Sequence, residues 1–303
     1  MKISVIKGSE LGFSDVNRWR AIQRENPELA SPYFCPEFTQ EVAAVRDDVF
    51  VGILEEEGEV VGYFPHQRRR FGIGYAVGGS FSDFHGVIAK PGIGWNAAAL
   101  LRSCHLVSWQ FHHLLASQTP FAPYHACTCE SHYLDLSEGF DAYAIRLRES
   151  CSGQIEEVAA KRRRLRREFK NVEFIPHVKD PSVLETLIRW KSTQYRSAGL
   201  SDKFAYPWTV ELLHRIHGIQ GDHFAGMISA LYFYGQLAAV HMGMRSDTVW
   251  NWWFPRHDER FARHSPGILL RVYAAEYAPT IGIKRVDLGM GDETTYKTRL
   301  RSG

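Results

Sequence analysis

The spacing of apolar residues changes repeatedly along the chain, and each change marks an element. Residues 1–7 alternate as a strand does, and 11–23 carries apolar residues at helical spacing. The runs 49–54 and 60–66 flank a glutamate-rich turn that ends in Gly58, which is typical of a β-hairpin. Further helices are predicted over 38–45, 95–111 and 140–147, and further strands over 113–115 and 131–136.

The second half of the chain has a similar order of elements. Helices are predicted over 152–170, 181–195, 208–216 and 268–278, and strands over 174–178, 224–234, 236–245, 248–254 and 285–288. This order predicts an α/β (α+β) fold in which mixed, largely antiparallel sheets are flanked by helices. The repetition favours an internal duplication, with one domain over residues 1–150 and a second over 151–303.

The segment from Phe261 to Lys297 contains the clearest helix start. Ser265 stands at an N-cap position and Pro266 at the first helical position, after a basic loop that includes Arg263 and His264. Free backbone amides and the helix dipole make such a start a ready anion site. An ordinary helix cap inside an α/β layer is the alternative.

The composition of the chain limits the classes of protein to which it can belong. The 303 residues are 45% hydrophobic with a net charge of +2, which indicates a globular chain without a global bias toward nucleic acid or anionic membrane. The apolar runs are too short to span a bilayer, and the first ten residues lack the features of a secretory signal. Five cysteines, an odd number, favour reduced thiols in a cytoplasmic protein. No histidine or cysteine spacing matches a metal site.

Two other stretches carry candidate chemistry. After the basic run Arg68-Arg69-Arg70, residues 71–94 are rich in glycine and aromatics and present Asp83 and His85 between glycines, as a site loop does. A turn in which Asp83 caps a backbone amide is the alternative. The helix over 152–170 contains five arginines within 161–167, which indicates a solvated or anion-facing surface, or a segment that contacts nucleic acid.

Several runs, in their order and spacing, resemble one family. They are Trp190–Gln194, Leu237–Gly243, Ser265–Leu270 and Asp287–Asp292 through Tyr296-Lys297, together with the basic helix and the early Pro36-Glu37-Phe38 and Ser82-Asp83. They are similar to the CelD-like branch of the GNAT acyltransferases. The resemblance implies two tandem GNAT-like domains, related to the Fem peptidyltransferases, with an acyl-CoA site in the second.

The resemblance also implies where the cofactor binds. In a GNAT fold the pyrophosphate lies against backbone amides between the fourth strand, here 249–254, and the next helix. Arg263, His264, Ser265 and Gly267 are therefore the candidate cofactor-binding residues. The usual Gln/Arg-x-x-Gly-x-Gly/Ala signature is absent, and a single Gly267 stands in its place.

Acyl transfer needs a base for the attacking group and donors for the developing oxyanion. His241, in a strand of small and apolar residues, is the first candidate base, and a hydrogen-bonded core histidine is the alternative. Asp83 is a second candidate base or a carboxylate that orients the substrate. Asp287 is a third catalytic candidate that can pair with Lys297, and a structural ion pair is the alternative. The candidate substrate-binding residues are His85, Lys191, Gln194, Trp252, Tyr296 and Lys297.

The resulting hypothesis is a cytoplasmic acyltransferase that uses acetyl-CoA or another acyl-CoA and no metal. By the family resemblance, its acceptor is a sugar or another precursor of envelope or extracellular polysaccharide, with no role for DNA. One alternative is a Fem-like transferase that uses aminoacyl-tRNA. Another is a non-catalytic binding subunit of a polysaccharide-synthesis complex.

Overall fold

Two compact units make up the chain, Met1–Cys129 and Glu130–Gly303. The computed structural model describes residues 1–150, 154–169 and 171–290. The division lies before the predicted boundary at residue 150. The difference arises because the strand Ser131–Asp135, which lies within the domain predicted over 1–150, joins the sheet of the second unit.

The first unit is built on one sheet with helices packed against it. Its elements are β1 (Lys2–Lys7), α1 (Phe13–Glu25), α2 (Pro36–Val45), β2 (Val49–Glu56), β3 (Glu59–Arg68), β4 (Ile73–Tyr75), β5 (Ile88–Ala89), α3 (Ala97–Ser103) and β6 (Ser108–Gln110). The strand order is β1-β2-β3-β4-β6, and β5 also pairs with β3. The β4–β6 pairing is parallel and the other pairings are antiparallel.

The second unit has the same kind of sheet and a longer set of helices. Its elements are β7 (Ser131–Asp135), α4 (Phe140–Ser150), α5 (Gln154–Glu168), β8 (Val172–Ile175), α6 (Pro181–Ser197), α7 (Pro207–Gly218), β9 (Ala225–Phe233), β10 (Gln236–Arg245), β11 (Val249–His257), α8 (Pro266–Tyr277) and β12 (Arg285–Met290). The strand order is β7-β12-β11-β10-β9-β8. Only β11 and β12 pair in parallel among these strands. The predicted mixed α/β fold is confirmed.

Both units use the same tight hairpin. Glu57 and Gly58 connect β2 to β3, and Tyr234 and Gly235 connect β9 to β10, with positive φ at all four residues. Two-residue turns of this kind match the right-handed twist of paired strands. Glycine at the second position adopts this conformation without a steric cost, and this explains why the turns lie where the glycines are.

One predicted helix is shorter in the structure. The apolar pattern over 95–111 predicted a single helix, but α3 ends at Ser103 and β6 follows at Ser108. Asn96 caps the start by accepting the amide of Ala99 at 2.9 Å. His105, at a φ of 57°, turns the chain away after α3, so the remaining apolar residues join the sheet.

The sheet of the second unit is covered on both faces. Met227, Leu231 and Phe233 of β9 pack in one core with residues of α5 and α8, while the intervening Ile228 and Ala230 are equally buried. Side chains alternate between the faces of a strand, so a second layer must cover the other face, and α6 and α7 contact β9–β11 there. Within the described ranges, no helix combines the length and the apolar character needed to cross a bilayer.

Candidate functional site

Strand β11 carries a bulge in the middle of the second sheet. Met242 pairs with Phe254 and Met244 pairs with Asn251, so Trp252 and Trp253 together oppose the single Gly243. A Cβ atom at Gly243 would lie 2.0 Å from the carbonyl oxygen of Asn251, so only glycine fits there. A bulge bends its strand and redirects backbone and side-chain groups, and bulges are frequent next to active sites.

Beside the bulge, the two parallel strands part. β11 pairs with β12 only from Val249 to Asn251, opposite Arg285 to Asp287, although β11 continues to His257. β12 shifts its register on β7 between Asp287 and Gly289, which has a φ of 68°. The sheet therefore opens on the carboxyl side of the Asn251–Asp287 pair, which is where α/β sheets commonly bind ligands.

Helix α8 begins next to the end of β11. Ser265 precedes it in a left-handed conformation with a φ of 52°, and Pro266 is its first residue, so the predicted helix start is confirmed. The Ser265 side chain does not cap the helix. The amide of Gly267 has no acceptor among the residues the structure describes, since a first-turn amide cannot find one within its own helix. The His257 ring lies beside it, with Nδ1 3.7 Å from the position a Cβ atom would take.

A lysine stands at this helix start. Nζ of Lys161 in α5 donates to Oγ of Ser265 at 3.0 Å, and Lys161 also pairs with Glu157 at 2.6 Å. A cation at the positive end of a helix dipole is unfavourable by itself. A bound anion relieves this repulsion, so the free amide, the dipole and Lys161 together favour an anion at this place.

The other predicted cofactor residues divide into two groups. Arg263 is exposed and pairs with Glu168 at 2.8 Å, and Gly267 and Ser265 form the helix start itself. His264 is buried instead, edge-on to Phe169 at 5.0 Å, and burial lowers the pKa of its imidazole. Its Nε2 accepts from Nε of Arg263 at 2.9 Å, so His264 positions the loop from within the core.

His241 is fully buried beneath the bulge. Its ring stacks on Trp252 with centroids 3.7 Å apart and planes within 3°. Nε2 accepts the amide of Trp253 at 3.2 Å, so Nδ1 carries the proton and donates to Oγ of Ser229 at 3.3 Å. Burial lowers the pKa of His241 well below its usual range. Both nitrogens are occupied, so to act as a base His241 must first release the Trp253 amide.

Asp287 lies where the strands part. It is almost fully buried, and its Oδ1 accepts the amide of Gly289 at 2.8 Å and the hydroxyl of Ser131 at 3.4 Å. These bonds hold the turn at the end of β12. Trp252 is also buried, and one face of its ring lies against His241, whereas the neighbouring Trp253 is half-buried.

The remaining predicted residues lie elsewhere. Lys191 and Gln194 share one face of α6, as predicted, and Lys191 Nζ donates to Gln194 Oε1 at 2.9 Å. Both belong to the α6–α7 layer, on the face of the sheet opposite α8. Tyr296 and Lys297 fall outside the described residues.

Asp83 and His85 belong to the first unit, on a loop that hydrogen bonds of His85 hold in place. Nε2 of His85 donates to the Ser82 carbonyl at 3.1 Å, and Nδ1 accepts backbone amides of His112 and His113 at 3.5 and 3.4 Å. Burial, with a smaller effect of His113, lowers the pKa of His85 to about 3. His85 is therefore neutral, and its role is to hold the loop in place through these hydrogen bonds. Asp83 is half-exposed and makes no hydrogen bond or ion pair within the described part of the chain.

A cavity of about 430 Å³ lies between α4, α5 and α8. It reaches Val272 in the middle of α8 and Glu276 in the last turn, and neither Ser265 nor Lys161 lines it. Arg162 on its wall is paired with Glu276 and lies 4.4 Å over the Tyr273 ring, so its charge is already compensated. The cavity is therefore separate from the anion-favouring helix start.

The described residues were searched for a metal site. The described ranges contain no group of three or more histidine, cysteine or carboxylate side chains arranged to hold a metal ion. The four cysteines within these ranges are free thiols.

Sequence reasoning missed three elements of this site. The bulge at Trp252-Trp253, the role of Lys161 and the proximity of His257 to Gly267 all depend on contacts between separate elements. Only Gly243 offered a local signal, because a glycine inside a strand often marks a bulge or a close backbone approach.

Comparison with known families decides the class of the second unit. Residues 152–298 match the family model of the acetyltransferase (GNAT) domain. Residues 152–298 form a GNAT domain. Its fourth strand is β11, and α8 is the helix that follows. The GNAT match begins after β7 and α4, although β7 completes the sheet.

Solved structures share the fold over almost the whole chain. FemX is 8% identical and has a TM-score of 0.65, with 99% of this chain and 94% of FemX covered. A tandem GNAT protein from the clavulanic acid biosynthesis pathway is 10% identical, with a TM-score of 0.52 and coverage of 98% and 92%. The C-terminal domain of a protein described as a lysylphosphatidylglycerol synthetase, from Agrobacterium fabrum, is 15% identical, with a TM-score of 0.56 and coverage of 92% and 78%.

At such identities the likeness establishes the fold alone. Since it extends over both units, the predicted tandem GNAT architecture is confirmed. The GNAT domain also confirms the predicted class of enzyme, an acyltransferase. A search of curated proteins found no match.

Proposed function

We propose that the chain transfers an acyl group from acyl-CoA, with acetyl-CoA as the preferred donor, to a sugar or another precursor of envelope or extracellular polysaccharide. The observation that carries the proposal is the start of α8 in the GNAT domain. A free amide at Gly267, a helix dipole and Lys161 meet there, next to the bulged β11.

The chemistry of the helix start fits the diphosphate of a CoA ester. Backbone amides and a helix dipole favour phosphate, and Lys161 adds a point charge. Gly267, Ser265, Lys161 and Arg263 are the residues that would hold it. When bound, the thioester supplies an activated acyl group.

The acceptor must lose a proton as it attacks, and three predicted residues compete for this role. His241 is neutral and buried but is already bonded through both nitrogens. Asp287 is buried, and its carboxylate already accepts hydrogen bonds from Gly289 and Ser131. Asp83 belongs to the first unit, and its carboxylate makes no hydrogen bond or ion pair among the described residues, which suits a group that orients an amine or hydroxyl. Among the aromatic residues of β11, the half-buried Trp253 suits a sugar ring better than Trp252 does.

The test compares Lys161→Gln with Arg163→Gln, an exposed arginine on the same helix. Acetyl-CoA should raise the melting temperature of the wild-type protein by mass action. We expect Lys161→Gln to need roughly tenfold more ligand for the same rise, the loss of one charge-assisted contact. Arg163→Gln should behave as wild type. Release of free CoA with a panel of sugar acceptors then measures turnover.

Two results would count against the donor assignment. One is the absence of a thermal shift with acetyl, longer acyl and free CoA at roughly millimolar concentration, the upper end of usual substrate affinities. The other is an equal loss of affinity in both variants, since Arg163 does not contact the helix start.

A second donor class is supported by a different observation. Arg163, Arg164 and Arg167 are exposed on α5, and such a row of cations suits RNA phosphates. An aminoacyl-tRNA donor predicts that Arg163→Gln weakens tRNA binding and flattens its salt dependence, while Lys161→Gln has no special effect. The same pair of variants therefore separates the two donors.

A further inference from the structure

Two large apolar side chains stand side by side in solvent on the first unit. Phe71 is 87% exposed and Val107 is 83% exposed. They are neighbours because the amide of Val107 donates to the carbonyl of Gly72 at 2.8 Å, and a Cβ atom at Gly72 would lie 3.2 Å from the Val107 side chain. Exposed apolar residues are common singly, but two adjacent side chains of this size form a patch.

The backbone at this patch is held in an unusual conformation. Phe71 has a φ of 63° and His105, in the facing turn, has a φ of 57°. A bulky residue without a polar side chain rarely adopts this conformation. The Phe71 ring gains no intramolecular packing in return, since most of it faces water. Strained backbone conformations of this kind are found more often at functional sites than elsewhere in proteins.

Cationic residues lie next to the two apolar ones, two directly before Phe71 and one at the turn that precedes Val107. Arg69, Arg70 and Arg102 are exposed, and none of them makes an ion pair within the described ranges. Arg69 lies 4.5 Å over the Tyr75 ring. The carboxylate of Asp48, whose backbone carbonyl accepts from the amide of Arg68, is bound to Arg46 at 2.7 Å. The patch is therefore apolar at its centre and positively charged at its rim.

We propose that this patch, which we call the Phe71 tip (Phe71, Val107, Arg69, Arg70 and Arg102), docks the protein on an anionic lipid surface. The ring and the valine would enter the interface between headgroups and acyl chains, and the arginines would contact lipid phosphates. An aliphatic Val107 has no counterpart on a nucleic acid. An acidic protein surface would pair with the arginines, but unlike a bilayer it would not provide an apolar layer into which the exposed ring could insert.

Vesicle flotation tests the proposal on the full-length protein. Vesicles contain phosphatidylcholine alone or with about one third phosphatidylglycerol. Wild-type protein should float with the anionic vesicles only, and added salt should weaken binding. Phe71→Asn, whose side chain tolerates a positive φ, should fold at least as well and bind roughly tenfold more weakly.

Further variants separate the contributions. Arg70→Glu with Arg102→Glu should abolish the preference for anionic vesicles. Phe13→Asn removes an aromatic ring that is also 83% exposed, on α1 of the same unit, and should bind as wild type. Acyl transfer to a soluble acceptor should be the same in the Phe71→Asn variant, so loss of docking is distinguishable from loss of catalysis.

Three outcomes would overturn the proposal. The first is failure of wild-type protein to float with either vesicle. The second is unchanged binding in Phe71→Asn or equal loss in Phe13→Asn. The third is a wild-type dimer in solution that becomes a monomer in Phe71→Asn, which would assign the Phe71 tip to self-association.

Discussion

Replacing His241 by alanine should destabilise the second unit strongly. The residue is completely buried, and its ring fills the space against Trp252 at 3.7 Å. Its removal also takes away the acceptor of the Trp253 amide and the ring nitrogen bonded to the Ser229 hydroxyl. The change therefore combines a cavity with the loss of a buried hydrogen bond to the backbone at the bulge.

The size of the effect follows from these two terms. Truncation of a buried aromatic ring costs about 3–5 kcal/mol. An orphaned buried donor costs about 1–3 kcal/mol more. If partial relaxation reduces the total to about 4 kcal/mol, the melting temperature falls by about 8–16 °C, since a domain of this size loses about 2–4 °C per kcal/mol.

Thermal melts and steady-state kinetics on His241→Ala and His241→Gln separate structure from catalysis. The glutamine oxygen can accept the Trp253 amide, so we expect it to recover part of the stability. If His241 only holds the bulge, turnover recovers with it. If His241 is the base, both variants lose kcat even where the glutamine variant is stable. A melting temperature of His241→Ala within about 2 °C of wild type would refute the reasoning from burial.

Two further predictions concern stability. Gly243→Ala should cost about 3 kcal/mol or more, measured by urea unfolding, because its Cβ would meet the carbonyl of Asn251, whereas Gly218→Ala has open space and should be neutral or stabilising. Burial lowers the pKa of His66 to about 4, below its unfolded value, so the neutral ring stabilises the first unit above about pH 6.5 and that stability is lost as the pH falls toward 4. His66→Phe should remove about 2 kcal/mol of the loss of stability between pH 7 and 5, so equal pH profiles for His66→Phe and wild type would contradict the assignment.

Features with a local cause were predictable from the sequence. The hairpin at Gly58 and the helix start at Ser265-Pro266 both lie where predicted, because turn and cap residues impose their own dihedral angles. The three consecutive strands β9–β11 followed from apolar runs long enough to exclude a loop.

Features set by distant contacts were not predictable. Nothing in the run 131–136 indicates that it pairs with β12 rather than with a strand of the first sheet. The sequence around His241 is compatible both with a base and with a core histidine, and only the positions of Ser229 and Trp253 distinguish the two environments. Ser265 takes the predicted N-cap position, but the contact of its hydroxyl was not predictable, since the hydroxyl accepts from Lys161 on another helix.

The place of β7 at the edge of the second sheet has a consequence for synthesis. Ser131 and Asp287 meet across β7 and β12 although they lie 156 positions apart. On the ribosome, β7 emerges long before its partner exists, and its edge must wait unpaired while α4 to α8 are made. The second unit can close its sheet only after β12 has been made, so its nascent form exposes an unpaired strand edge for longer than the first unit does.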